Sequence, residues 1–154
     1  MNKQLLCYLL IAGAIVSCKP KEQNNSYEAV VTIVDEAESI VDKYDSAVYL
    51  ALENKKTDYI KILSKGAVDS TNLKLNDLKN LEIDPPNEDL RTSSINYIQA
   101  LQKIVIAENT YASINDTTSI ETAKKMDENV SKEINQAEQL RYKYRLELKK
   151  SMNQ

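Results

Sequence analysis

The stretch SYEAVVTIVDEAESIVDKYDSAVYLA, residues 26–51, decides the fold. Its apolar residues recur at alternating spacings of three and four, which is the period of one face of an α-helix. They are Tyr27, Val30, Val34, Ala37, Val41, Tyr44, Val48 and Ala51, flanked by Ile33, Ile40 and Ala47. A stripe sustained over this length predicts a long amphipathic helix with a bundle-type seam, which needs further helices to cover it.

Two more amphipathic segments follow, separated by a proline pair. The first, residues 57–80, contains Gly66, and we expect a bend or a break there because glycine costs about 1 kcal/mol in a helix interior. Pro85-Pro86 marks the clearest boundary, since no helix interior tolerates proline. The next helix begins after Asn87 and carries the stripe Leu90, Ser94, Tyr97, Leu101, Ile104, Glu108 and Tyr111.

A fourth helix is predicted from the capping-box sequence Thr118-Ser119-Ile120-Glu121 to about Lys150. The residues expected to face inward are Ile120, Ala123, Val130, Ile134, Ala137, Tyr144 and Leu148, with Asp127 and Arg141 on the same seam. Short connections between the helices make sequence neighbours antiparallel. The sequence therefore predicts an all-α, up-down-up-down four-helix bundle over residues 26–154.

Charge is distributed unevenly between the first and the last helix. The acidic residues toward the start of the first helix are Glu28, Asp35, Glu36, Glu38, Asp42 and Asp45. The basic residues near the end of the last helix are Arg141, Lys143, Arg145, Lys149 and Lys150. An up-down-up-down bundle brings these two segments side by side, so their attraction favours this register over others.

Composition excludes several classes of function. The sequence has no histidine, so Ser-His-Asp and Cys-His catalysis and histidine-ligated metals are excluded. Gly13 and Gly66 are its only glycines, too few for a phosphate-binding glycine loop. With a net charge of −3 and no clustered basic face, the chain is a poor partner for nucleic acid. No cofactor is predicted.

Charged residues on the predicted seams form the candidate ligand site. Glu108 and Asp127 lie within about one helical turn of the same height in the predicted bundle. With Tyr97 and Arg141, they could bind a hard cation or the amine of a small molecule. Alternatively, they lie at the edge of the seam and reach solvent, and the rings of Tyr44, Tyr97, Tyr111 and Tyr144 simply fill the core.

The amino-terminal residues have the parts of a secretory signal peptide. Lys3 supplies a positive charge, residues 5–16 form an almost unbroken apolar run, and the small residue Ser17 closes it. A membrane-spanning helix needs about 20 apolar residues, so the run is too short for a permanent span. We therefore expect residues 1–17 to be removed.

The residue after this segment is Cys18, and Ile15-Val16-Ser17-Cys18 resembles the lipobox of bacterial lipoproteins. The resemblance implies cleavage before Cys18 and acylation of its thiol, for instance with palmitate. The family more often has leucine at the position of Ile15 and alanine or glycine at that of Ser17. Two or three acyl chains, at about 0.8 kcal/mol per buried CH₂, would anchor the protein stably to a membrane.

Residues 18–25 are then the lipidated cysteine and a short polar tether of at most about 25 Å. We expect a bacterial envelope location, with the periplasmic face of the outer membrane favoured over the cell surface. The whole arrangement resembles the small helical-bundle lipoproteins of Bacteroidota, a likeness of architecture that implies no particular activity.

Two functions are the main candidates, and an enzyme with a Ser/Lys or carboxylate mechanism is a third that composition alone leaves open. The first is a non-enzymatic, membrane-anchored envelope lipoprotein that acts as a protein-interaction or structural module. The second is a small-molecule or cation-binding protein with its site inside the bundle. A closed core favours the first function, and a cavity of about 300 Å³ with converging polar groups favours the second.

The lipobox generates a direct test. Cells that express the wild-type chain and are fed radiolabelled palmitate are expected to label the protein, and mass spectrometry should show a mature product that begins at Cys18. The Cys18→Ser variant is expected to lose the label and to leave the membrane fraction. An unmodified wild-type chain that still begins at Met1 would contradict the lipoprotein interpretation.

Overall fold

The computed structural model describes residues 26–153, and the expectations for the signal peptide, Cys18 and the tether lie outside this range. It contains four α-helices: α1 (Ser26–Glu53), α2 (Thr57–Asn80), α3 (Glu88–Tyr111) and α4 (Ile120–Ser151). A 3₁₀ turn at Pro85–Asn87 precedes α3, and residues 26–153 contain no strand. The predicted all-α four-helix bundle is confirmed.

Contacts between α1 and α3 establish the direction of the helices. Tyr44 donates a hydrogen bond to the Val105 carbonyl at 3.2 Å, and Tyr97, earlier in α3, donates to Glu38, earlier in α1. These two helices therefore run parallel. Because short loops join each helix to the next, α2 and α4 run in the opposite direction, which is the up-down-up-down topology.

The core lies mainly between α1, α2 and α3. Residues of the predicted α1 stripe are buried, and they pack with Leu75 and Leu78 of α2 and with Leu90, Ile98 and Val105 of α3. The buried members of the stripe are Val30, Val34, Ala37, Val41, Tyr44 and Ala51. Burial of apolar side chains at about 1.5–3 kcal/mol each makes this seam the main source of stability.

Two local expectations were wrong. The break expected near Gly66 is absent, because α2 continues through this exposed position as one helix. The cap of α4 is Ser119, whose side chain accepts from the Thr122 amide, one residue later than the predicted box. Thr118 instead accepts from the Asn115 amide in the preceding loop.

The largest departure from the predicted packing is in α4. Ile120 is 89% exposed and Ile134 is 39% exposed, although both were expected to face inward. The buried residues of α4 are Ala137, Tyr144 and Ser151, all in its second half. The expectation was therefore wrong for Ile120 and Ile134, whereas Ala123 and Val130 are half-buried as expected of inward-facing residues beside α3.

The reason lies in how α4 is placed. It packs along α3, whereas the extensive neighbours of α1 are α2 and α3. From the level of the ion pair between Glu38 and Arg141 toward the other end of the bundle, a groove with α3 as its floor lies between α1 and α4. The bundle is thus closed at the end where α1 begins and open along the α1–α4 seam toward the other end.

Within residues 26–153, no helix has an apolar segment long enough to cross a membrane.

Candidate functional site

A polar cluster around Glu38 joins α1, α3 and α4. The Tyr97 hydroxyl donates to Glu38 at 2.6 Å, and Arg141 Nε lies 3.1 Å from the same carboxylate. The Tyr97 ring stacks on Tyr144, with ring centroids 6.0 Å apart and planes 15° from parallel. Both rings are buried, so this cluster closes the seam at one end.

Burial and nearby carboxylates alter the acidity of these tyrosines. Burial raises the pKa of Tyr97, and its hydrogen bond to Glu38 raises it further. Burial, with Asp35 and Glu38 nearby, raises the pKa of Tyr144 to about 12. Both hydroxyls therefore stay protonated at neutral pH, and Tyr97 acts as a hydrogen-bond donor rather than as a base.

Two adjoining cavities extend from this cluster along the seam, and we call them together the α1–α4 groove. The first, of about 310 Å³, is lined by Glu38, Val41, Asp42, Asp45, Tyr97, Leu101, Ile104, Glu108, Ile134, Ala137, Glu138 and Arg141. The second, of about 320 Å³, is lined by Asp45, Val48, Tyr49, Leu52, Glu108, Tyr111, Ala112, Asp127 and Val130. Asp45 and Glu108 belong to both cavities and mark the middle of the groove.

The carboxyl groups of Asp45 and Glu108 line both cavities and lie close enough to influence each other's pKa. Burial raises the pKa of Glu108 to about 7, and the charge of Asp45 adds to the effect. Burial also raises the pKa of Asp45. Among the residues that the structure describes, no donor reaches the buried Glu108 Oε2, which a proton shared between the two carboxyls would satisfy. The pair therefore holds a proton at higher pH than two separate, exposed carboxyls would.

The structure brings together three of the four residues predicted for the ligand site. Tyr97, Glu108 and Arg141 line the first cavity, whereas Asp127 is exposed and lines the second. Asp127 was expected to be the carboxylate partner of Glu108, and it lines the second cavity with Glu108, but the carboxyl that raises the pKa of Glu108 is that of Asp45.

The sequence interpretation missed Glu38, Asp42 and Asp45 as site residues. Their spacing of four and three places them on one helix face next to the apolar stripe of α1, which was a usable signal. The predicted attraction between the acidic start of α1 and the basic end of α4 is present as the ion pair of Glu38 and Arg141.

Some tyrosines fill the core and others line the groove, which are the two roles that the sequence suggested for them. Tyr44 is buried and bonds to the Val105 carbonyl, so it is a core residue with its hydroxyl satisfied. Tyr97 is both a core ring and a wall of the first cavity, and Tyr111 is exposed at the second. The rings therefore contribute to one side of the groove without enclosing a pocket.

The described part of the chain holds no group of three or more aspartate, glutamate, cysteine or histidine residues arranged to hold a metal ion. Asp45 and Glu108 alone supply too few oxygens for Ca²⁺, which takes six to eight ligands. The arrangement instead suits a group that donates hydrogen bonds and carries positive charge.

Comparison with protein-family models, with curated proteins and with solved structures finds no match to this chain. The interpretation of the groove therefore depends on its own geometry and charge.

Replacement of Glu108 with glutamine is expected to change how stability depends on pH. The folded state keeps the Glu108 proton up to about pH 7, whereas the unfolded chain releases it near its ordinary pKa of 4.5. The wild type should therefore lose stability as pH rises from about 4.5 to 7, by on the order of 1 kcal/mol after solvent screening. Glu108→Gln should lack this loss.

Thermal unfolding followed by circular dichroism at pH 5 and pH 8 measures the difference. The matched control is Glu82→Gln, because Glu82 is exposed in the α2–α3 loop and should behave like the wild type. An identical pH dependence in the wild type and in Glu108→Gln would show that the Glu108 carboxyl is not held in a protonated state.

Proposed function

We propose that the mature protein is a non-enzymatic, lipid-anchored envelope lipoprotein whose helical bundle binds a protein partner in the α1–α4 groove. The observation that carries this proposal is the groove itself. A four-helix bundle normally buries the seam between its first and last helices, and here that seam stays open and carries exposed apolar side chains.

The anchor supports a function at a membrane. Ile15-Val16-Ser17-Cys18 follows a signal-peptide pattern, and the polar residues 19–25 are predicted to be a short tether before α1. An acylated chain would hold the bundle close to the surface, with the closed end of the bundle nearest the lipid. The open part of the groove would then point away from the membrane, where another envelope protein can reach it.

The surface of the groove supports binding rather than catalysis. Its polar groups are mainly carboxyls, and the sequence contains no histidine to pair with a nucleophile. Tyr97 and Arg141 are already engaged with Glu38, and the pKa of Tyr97 is raised, which makes this hydroxyl a poor base. The exposed rings and aliphatic side chains, such as Tyr49 at 62% exposure, are typical of a contact surface.

A small-molecule binding function is the second candidate. It is favoured by the first cavity, which at about 310 Å³ falls at the lower end of the range for ligand pockets and has converging polar groups. We place it second because the groove is open along its length, whereas such pockets usually enclose most of the ligand. Native mass spectrometry that retains a small molecule on the purified protein would favour this candidate instead.

Site-specific photocrosslinking in intact cells tests the protein-binding proposal. Tyr49 and Ile134 line the groove, and their side chains are exposed. The fold should therefore tolerate a benzoylphenylalanine residue in place of either one. We expect a discrete adduct of defined mass from both positions after irradiation.

The matched controls are benzoylphenylalanine at Ile62 and at Leu73, which are at least as exposed as the groove positions and lie on α2, outside both cavities. These positions should give no such adduct. The proposal would be contradicted if the groove positions crosslinked nothing, or if the same adducts formed with equal yield from α2.

A further inference from the structure

The α1–α4 groove has an unbalanced charge. Six carboxyl-bearing residues line it, and Arg141 is the one base among the lining residues. They are Glu38, Asp42, Asp45, Glu108, Asp127 and Glu138. Because Arg141 is already paired with Glu38, its charge does not offset the others. The groove is therefore acidic along its length, and a bound segment that carries positive charges would complement it.

An apolar floor lies between these carboxyls. Leu101 and Ile104 of α3 form it in the first cavity, with Ile134 on the α4 side. In the second cavity Val48, Tyr49, Leu52, Tyr111 and Val130 continue it. Such a surface needs an occupant with one apolar face and flanking positive charges, since a uniformly polar chain would leave the floor uncovered.

The dimensions of the groove suit a helix. From Glu38 to Leu52 the wall formed by α1 extends over about 20 Å, or about four helical turns. The groove has helices on both sides, and neither wall offers a free strand edge, so an extended peptide would find no backbone partners. A helix laid on this surface would place one side chain into the floor at every turn.

A second copy of this chain fits the groove poorly. Its own candidate segment is the outer face of α4, where exposed Tyr142 and Leu146 lie beside Lys143 and Lys149. This segment lies at the closed end of the bundle, level with the start of α1. Two copies anchored side by side in one membrane would not bring it level with the open part of the groove.

On the basis of the proposed protein-binding function, we propose that the partner contributes a basic amphipathic helix that docks in the α1–α4 groove. This helix has apolar residues at helical spacing, and lysine or arginine residues flank them. The apolar side chains of that helix cover the floor between Leu101 and Val130. Its cations meet the exposed carboxylates of Asp42, Asp127 and Glu138 on the rim.

Fluorescence anisotropy with a synthetic probe tests this inference. The probe is a fluorescein-labelled peptide of about 14 residues, LKKLLKLLKKLLKL, which forms a basic amphipathic helix of about four turns. The protein is the full mature chain with Cys18→Ser, so that neither acyl groups nor detergent can absorb the peptide. We expect saturable binding of this probe, and at least about tenfold weaker binding of a peptide with the same composition in scrambled order.

A triple variant locates the site. Asp42→Asn, Asp127→Asn and Glu138→Gln remove three exposed charges from the rim and should weaken probe binding at least about tenfold. The control triple variant is Glu82→Gln, Asp84→Asn and Asp116→Asn, which removes the same charge from exposed loop positions. It should bind the probe within about twofold of the unmodified chain.

Three outcomes would overturn the inference. They are equal binding of the ordered and scrambled peptides, equal effects of the two triple variants, and self-association of the chain that is lost in the rim variant. If the probe fails but groove-specific crosslinks form in cells, a protein still binds there and only the basic helix is excluded. If the crosslinks are absent, the proposed function itself fails.

Discussion

The two carboxyls of Asp45 and Glu108 are the constraint on which the shape of this bundle depends. They lie in the middle of the groove between α1, α3 and α4, where a closed seam would bury both of them. Asp45 is now exposed and Glu108 is half-buried with its Oε2 fully buried, and complete burial of unpaired carboxylates costs several kcal/mol. A shared proton removes part of this cost, and access to solvent through the groove removes the rest. The first half of α4 consequently packs on α3 alone.

The other end of the bundle shows what changes when a carboxylate has partners. Glu38 lines the end of the same groove, yet it accepts a hydrogen bond from Tyr97 and forms an ion pair with Arg141. With its charge balanced, the helices close around the stacked rings of Tyr97 and Tyr144. Similar side chains thus give a closed seam at one end and an open, acidic groove at the other, which is the surface proposed for a partner.

Much of the fold was predictable from the sequence because it depends on local periodicity. The stripe beginning at Tyr27 defined α1, and Pro85-Pro86 separated α2 from α3 for reasons of backbone geometry alone. Gly66 was misjudged because the penalty for glycine is small, and packing on either side of it maintains the helix. The cap of α4 was misplaced by one residue because Thr118 and Ser119 are both capable of capping.

The groove was less predictable, for a physical reason. Periodicity identifies the apolar face of a helix but not whether another helix covers that face, so the exposure of Ile120 and Ile134 was missed. The seam position of Glu108 was visible in the stripe of α3. Its partner, Asp45, depends on the relative rotation of α1 and α3, which no spacing within one helix encodes.

Hydrogen exchange of α4, followed by mass spectrometry, tests the central claim most directly. The comparison is between the wild type and a variant with Asp45→Leu and Glu108→Leu, with residues 137–151 as the internal reference. The account predicts that residues 120–136 exchange faster than the reference in the wild type and slow toward it in the variant, because α4 can then close on the seam. Equal protection along α4 in the wild type, or unchanged exchange of residues 120–136 in the variant, would contradict it.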